Sequence, residues 1–290
     1  MKPSERIEYS AVVDRAPLML PNGARVVVWP IINVENWEIE QPMARTVLSP
    51  PGGNAVVPDL PNWAWHEYGM RVGFWRLKAA LDRFDVKATL SINASVCELC
   101  PRLAGAARDA GWEFMAHGLV QTPMGLLEDQ RAAIRETITT IERFTSRRPR
   151  GWLGPGLTET LETPDILFEE GIEYVADWVL DDQPCELRTR AGTLYTIPYT
   201  VELNDIPMMM IQHHKASELL DRTMDQFERL YAEGAENARV MAIAVHPYIT
   251  GVPHRIAYYE EILERLAGRP GVVFWTGEQI LDWYKAAKED

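Results

Sequence analysis

Short apolar segments alternate with amphipathic segments along almost the whole chain, and this alternation constrains the fold more than any other feature. The continuous apolar run at 25–32 is typical of a strand buried on both faces. Further strands are predicted at 87–93, 112–118, 150–155, 173–178, 193–200, 239–249 and 272–277, and helices at 69–84, 95–110, 126–146, 163–170, 216–233, 256–267 and 277–287. Strands that alternate with helices predict a parallel sheet with helical crossovers.

The number of strand–helix units favours a closed sheet over an open one. About seven to eight units in one domain predict an α/β fold of the deformed (β/α) barrel type. We expect an N-terminal extension at 1–24, the barrel domain at 25–290, and a long loop or arm at 36–62, which is rich in Pro, Gly and Asn. An open doubly wound sheet is the alternative, but no GxGxxG or Walker-type loop follows a predicted strand.

The charge and hydropathy of the chain limit its partners. A net charge of −13 disfavours nucleic acid and anionic membrane surfaces, since both need clustered Lys and Arg. No segment approaches the roughly 20 apolar residues of a membrane span. No apolar run follows the early charges, so we expect no signal peptide and a cytoplasmic protein with a small-molecule substrate.

Three polar residues directly follow predicted strands. Glu35, His117 and His246 each come at the end of an apolar run. In a barrel of this type the chemistry lies at the carboxyl ends of the strands. A single carboxylate or histidine there is often structural, but three at three strand ends favour a catalytic site.

Several short motifs occur in an order that resembles the polysaccharide deacetylase family, named for the rhizobial nodulation-factor deacetylase. They are INVEN at 32–36, HG at 117–118, RPRGW at 148–152, HP at 246–247 and FWTGEQILDW at 274–283. The resemblance covers about 25–287 and implies a hydrolase that acts on a non-peptide carbon–nitrogen bond. In that family the first motif supplies a base and a metal ligand, an HxxxH motif supplies two more ligands, and a late histidine is the general acid.

The chain departs from this pattern at two positions. Asn33 stands where the resemblance places the base, and Gln121 stands where it places the second histidine ligand. An amide is a poor zinc ligand, so no metal is favoured. Zinc remains the alternative cofactor, held by Glu35 and His117.

The departures resemble the cofactor-independent allantoinase and cyclic imide hydrolase branch of the family. The blocks at 61–76, 178–184 and 198–205 are similar to that branch, which implies a homotetramer or dimer. We therefore predict ring opening of a small cyclic amide or imide, which would be hydantoin- or allantoin-like, succinimide-like or a dihydropyrimidine. The alternatives are a metal-dependent N-deacetylase of a sugar or other N-acyl compound, and a non-catalytic ligand-binding barrel.

The predicted mechanism assigns a role to each candidate residue. Glu35, which is the preferred base, or His117 removes a proton from the attacking water, and His246 protonates the leaving nitrogen. Arg150 is predicted to orient a carboxylate, and His66 could reach the cleft. The candidate substrate-binding residues, two of which could also stabilise the oxyanion, are Asn33, Tyr68, Arg71, Gln121, Trp152, Glu202 and Asn204.

Overall fold

The computed structural model describes residues 1–289 and contains a nine-stranded sheet that curls into a barrel with its helices outside. The strands are β1 Val26–Val34, β2 Thr89–Ile92, β3 Glu113–Ala116, β4 Gly151–Trp152, β5 Tyr174–Val175, β6 Cys185–Arg188, β7 Thr193–Thr196, β8 Arg239–Val245 and β9 Val272–Phe274. The helices are α1 Pro3–Arg6, α2 Leu60–Tyr68, α3 Phe74–Arg83, α4 Val96–Leu99, α5 Pro101–Asp109, α6 Gln130–Thr145, α7 Thr163–Glu169, α8 Glu218–Glu233, α9 Ile256–Ala267 and α10 Gly277–Glu289. Two further segments, Gly69–Gly73 and Ile206–Ile211, are π-helical.

The strand order confirms the predicted deformed barrel. It runs β6-β7-β5-β4-β3-β2-β1-β8, and β9 pairs with the first half of β1. All pairs are parallel except β6 with β7, so eight strands run in one direction. Their carboxyl ends therefore meet at one rim of the barrel.

The barrel is deformed because β7 and β8 are joined through irregular backbone. The amide of Val240 donates to the carbonyl of Asp182, at 2.9 Å. The amide of Ala244 donates to the carbonyl of Leu203, at 3.0 Å. The segments around 182 and 203 thus take the place of a regular strand beside β8.

Several predicted boundaries were wrong. β4 and β5 are two residues each, because the chain turns at 153–159 and 176–182 to form rim loops. β6 was not predicted, since its CELR sequence is polar and lies at an edge of the sheet. The helical segment Ile206–Ile211 was also missed, because its continuous apolar sequence has no helical period.

Side chains of β1 alternate between two cores. Val26, Val28 and Ile32 pack against the helix layer, whereas Trp29 and Ile31 pack inside the barrel. This is the two-residue period of a strand covered on both faces. The inward series continues to Asn33 and Glu35, which therefore lie at the inner rim.

The residues before β1 pack against the barrel. Arg6 and Asp165 form a buried ion pair at 2.7 Å. Leu20 and Ala24 are buried in the interior core. Within residues 1–289, no helix has the length and apolar character needed to span a membrane.

Candidate active site

The structure brings Glu35, His117 and His246 together at the carboxyl-end rim. Nε2 of His246 lies 3.6 Å from Oε1 of Glu35, and Nε2 of His117 lies 4.0 Å from the same oxygen. All three residues are buried, with 3–4% exposure. The three strand ends predicted to carry chemistry therefore converge on one carboxylate oxygen.

The carboxylate of Glu35 accepts hydrogen bonds from two side-chain N–H groups. The Trp37 indole donates to Oε2 at 2.7 Å, and the Gln121 amide donates to Oε1 at 3.0 Å. Burial raises the pKa of Glu35, but contact with His246 and the charges of His246 and His117 outweigh burial and lower it to about 2. Glu35 is thus a carboxylate at neutral pH.

His246 is fixed by Asp205, whose two oxygens are both occupied. Nδ1 of His246 lies 2.6 Å from Oδ1, while the His246 backbone amide and the Thr250 hydroxyl donate to Oδ2 at 2.8 and 2.6 Å. Burial lowers the pKa of His246, but Asp205 and then Glu35 outweigh burial and raise it to about 9. His246 is therefore an imidazolium at neutral pH, with its Nε2–H near Glu35.

His117 is neutral, in contrast to His246. Its Nδ1 lies 2.7 Å from the carbonyl oxygen of Leu153, which can only accept, so Nδ1 carries the hydrogen. Burial lowers the pKa of His117, and the neighbouring Glu35 offsets this only in part. The neutral ring then presents the lone pair of Nε2 to the space beside Glu35.

An aromatic roof of Trp37, Trp65, His66 and Tyr248 covers these groups. His66 stacks on Trp37 at 4.3 Å between ring centroids, and Tyr248 packs edge-on against Trp37 at 5.2 Å. Burial lowers the pKa of His66 to about 4, so its ring is neutral. These aromatic side chains contribute to the burial of the three catalytic candidates.

Two of the predicted substrate-binding residues meet at the hydroxyl of Tyr199. The amide nitrogens of Asn33 and Asn204 lie 3.2 and 3.3 Å from this oxygen. All three residues are buried, and Asn33 is two residues from Glu35. Together with Gln121, these amides give the rim a neutral polar wall.

The structure does not bring Arg150, Trp152 and Tyr68 to Glu35. Arg150 precedes β4, at the opposite end of the barrel, where its pairs with Glu173 and Asp282 are 2.6 and 2.7 Å long. Trp152 faces the helix layer, since strand alternation turns Leu153 inward instead. The hydroxyl of Tyr68 accepts from Arg76 at 2.7 Å.

Two charged candidates lie at the surface. The side chain of Arg71 is 74% exposed and lies near Glu67, at 3.6 Å. The side chain of Glu202 is 68% exposed and pairs with Arg222 at 3.3 Å. Neither contacts the residues that surround Glu35, so neither belongs to the site as the structure shows it.

Sequence reasoning missed Asp205 as the partner of His246. Asp205 is fully buried, whereas Glu202, three residues earlier, is exposed. Asp205 lies in the motif PYTVELND, but β7 already ends at Thr196, so Asp205 does not directly follow a strand. Its place follows from the isolated parallel bridge between Asn204 and Ala244, which sets this segment beside β8.

The donor set fits zinc poorly. Both oxygens of Glu35 already accept N–H donors, and Gln121 turns its amide nitrogen to the carboxylate. Among the residues described, no group of three His, Cys, Asp or Glu side chains is arranged to hold a metal ion. Glu35 and His117 alone are an incomplete set, because a zinc site takes at least three protein ligands.

Comparison with known proteins shows what the chain is similar to. No family model matches the sequence. The chain is 25% identical to a Schizosaccharomyces pombe protein assigned as a polysaccharide deacetylase, over 92% of both chains. A solved Pseudomonas aeruginosa structure with the same assignment superposes with a TM-score of 0.85, at 24% identity and over 94% of this chain and 95% of that chain.

The chain is thus similar, over almost its whole length, to proteins assigned to the polysaccharide deacetylase family. This confirms the resemblance seen in the motifs, and with it the predicted class of hydrolases that act on non-peptide carbon–nitrogen bonds. The solved structure of PuuE allantoinase also superposes on this protein, with a TM-score of 0.86 and 24% identity over 99% of this chain and 98% of that chain. At that identity the allantoinase shows a shared fold.

Proposed function

We propose that the protein hydrolyses a small cyclic amide or imide and opens its ring without a metal ion. One observation carries the proposal: the carboxylate of Glu35 meets a neutral His117 and a protonated His246 while Gln121 occupies the place of a metal ligand. Water attack on an amide uses a base that takes a proton from the water and an acid that gives a proton to the leaving nitrogen. The neutral His117 and the protonated His246, both beside the Glu35 carboxylate, can fill these two roles.

The attacking water would lie between His117 and Glu35. The 4.0 Å between Nε2 of His117 and Oε1 of Glu35 allows one water to hydrogen-bond to both. We assign the base to His117, because its lone pair is free, whereas a carboxylate with a pKa of about 2 is a weak base. Glu35 then orients the water and stabilises the imidazolium that forms.

The leaving nitrogen would take its proton from His246. Attack of water on the ring carbonyl forms a carbon–oxygen bond and an oxyanion. Gln121 retains a second amide N–H after its bond to Glu35, and it can donate this hydrogen to the oxyanion. Collapse breaks the carbon–nitrogen bond, Nε2–H of His246 protonates the nitrogen, and the ring opens to a carboxylate and an amide or amine.

The pH dependence of ring opening tests this assignment. We expect kcat/KM for a cyclic imide, measured from about pH 4 to about pH 10, to follow a bell. Activity should rise through a pKa below 6.5 as His117 loses its proton, and fall through about 9 as His246 loses its proton. A profile that stays flat down to pH 4 would favour Glu35 as the base, and an alkaline limb near 7 would contradict the Asp205-supported imidazolium.

A second candidate is a metal-dependent N-deacetylase of a sugar or other N-acyl compound. The similarity to the Schizosaccharomyces pombe protein favours it, because that relative is assigned to deacetylation. The hydrogen bonds to Glu35 count against a metal-dependent mechanism. Gln121 directs its amide nitrogen at Glu35 and would have to rotate to offer its oxygen to a metal ion, and a third ligand would also be needed.

A further inference from the structure

Three buried polar atoms near Glu35 have no hydrogen-bond partner among residues 1–289. They are Oε1 of Gln121, Nδ1 of His66 and the hydroxyl oxygen of Tyr248. His66 and Tyr248 are 1% and 2% exposed, so water does not reach them freely. Buried polar groups are almost always paired in native proteins, and exceptions call for an explanation.

All three residues surround the same carboxylate. Gln121 donates to Glu35, and His66 stacks on Trp37, whose indole holds the other oxygen of Glu35. The Tyr248 ring lies against Trp37 and against His246, with centroids 5.2 and 5.6 Å apart. The residues that carry the unpaired atoms therefore lie in the walls and roof of one site.

The backbone fixes His66 and Tyr248 relative to each other. A Cβ at Gly69 would lie 2.5 Å from the backbone nitrogen of Tyr248, and one at Gly73 would lie 2.0 Å from the carbonyl oxygen of Pro247. Only glycine permits this approach, so the helical segment that carries His66 packs directly on the segment that follows β8. Oε1 of Glu67 lies 3.9 Å from Nδ1 of His66, which is beyond hydrogen-bond distance.

We propose that His66 and Tyr248 are specificity-determining residues that donate hydrogen bonds to the ring carbonyl that water does not attack. The inference rests on the proposed ring-opening function. A neutral imidazole N–H and a tyrosine hydroxyl can each donate to a carbonyl, while Oε1 of Gln121 can only accept from an N–H. This set is complementary to a cyclic imide, in which one N–H stands between two carbonyls, and not to a lactam with one carbonyl.

Succinimide and 2-pyrrolidinone test the inference, because the two rings differ by one carbonyl. The wild-type protein should open succinimide and bind 2-pyrrolidinone, measured as a competitive inhibitor, more weakly. His66→Phe keeps a planar ring on Trp37 but removes the nitrogen. It should raise KM for succinimide about tenfold to a hundredfold and change Ki for 2-pyrrolidinone by less than about threefold.

Three further variants separate recognition from packing. His66→Asn returns a polar atom near Nδ1 and should recover part of the loss for succinimide. Tyr248→Phe should have the same effect as His66→Phe. Tyr259→Phe removes another buried and unpaired hydroxyl, in the helix-facing core, and serves as the control. It should leave KM for succinimide and Ki for 2-pyrrolidinone unchanged.

The possible outcomes distinguish the two proposals. If His66→Phe raised KM for succinimide and Ki for 2-pyrrolidinone by the same factor, the specificity role would be overturned and the ring-opening proposal would stand. Wild-type protein that neither opens nor binds succinimide, hydantoin or a dihydropyrimidine would overturn the proposed function itself. Selective loss for the imide, with recovery in His66→Asn, supports the inference.

Discussion

Replacing His246 with glutamine should lower kcat for ring opening by about 10²-fold to 10⁴-fold, the range that general acid catalysis contributes. The variant keeps a polar side chain of similar length but cannot supply a proton to the leaving nitrogen. Steady-state kinetics on the substrate with the highest wild-type activity would measure the loss. The alkaline limb near 9 should disappear from the remaining activity, since His246 is the group assigned to it.

An exposed histidine provides the matched control for this substitution. His254 lies in a surface turn eight residues further along, and His254→Gln should keep wild-type kinetics. The far-ultraviolet circular dichroism and the melting temperature should show that both variants are folded. A folded His246→Gln variant with near-wild-type kcat would show that another group protonates the nitrogen.

Replacing Asp205 with asparagine should lower kcat on a similar scale, up to about 10⁴-fold, as found when asparagine replaces the carboxylate of a Ser-His-Asp triad. Asp205 accepts from Nδ1 of His246 and from its backbone amide, and it raises the pKa of His246. Asparagine has one acceptor oxygen and no charge. The pKa of His246 should therefore fall, and the alkaline limb of the pH profile should move from about 9 toward neutrality.

A second buried aspartate controls for loss of stability. Asp165 is also buried, but it pairs with Arg6 and not with a residue of the candidate active site. Asp165→Asn should lower the melting temperature and leave kcat and the pH profile unchanged. If Asp205→Asn lowered only the melting temperature in the same way, its role would be structural and His246 would not depend on it.

The catalytic candidates could be predicted because their positions follow from strand geometry alone. Parallel strands bring their carboxyl ends to one rim, and the period of two turns alternate residues inward. Glu35, His117 and His246 obey both rules, so an approximate placement of β1, β3 and β8 was enough to predict that they meet.

Other site residues depended on details that the sequence pattern does not contain. Trp152 was placed in the site because β4 was predicted to be longer than it is, and the parity of a two-residue strand turns it outward. Asp205 lies in irregular backbone whose path is set by contacts with β8, which are distant in sequence. Arg150 was predicted from its motif, but it lies before β4 and pairs with charges at the other end of the barrel.

The most direct test of the central claim is a ring-opening assay with and without a strong metal chelator. The purified protein would be given hydantoin, succinimide and dihydrouracil, and His246→Gln would serve as the inactive control. Metal-independent ring opening predicts turnover of at least one ring at a rate that the chelator does not change. Turnover that is lost in chelator and restored by zinc would contradict the account and return the protein to a metal-dependent deacetylase mechanism.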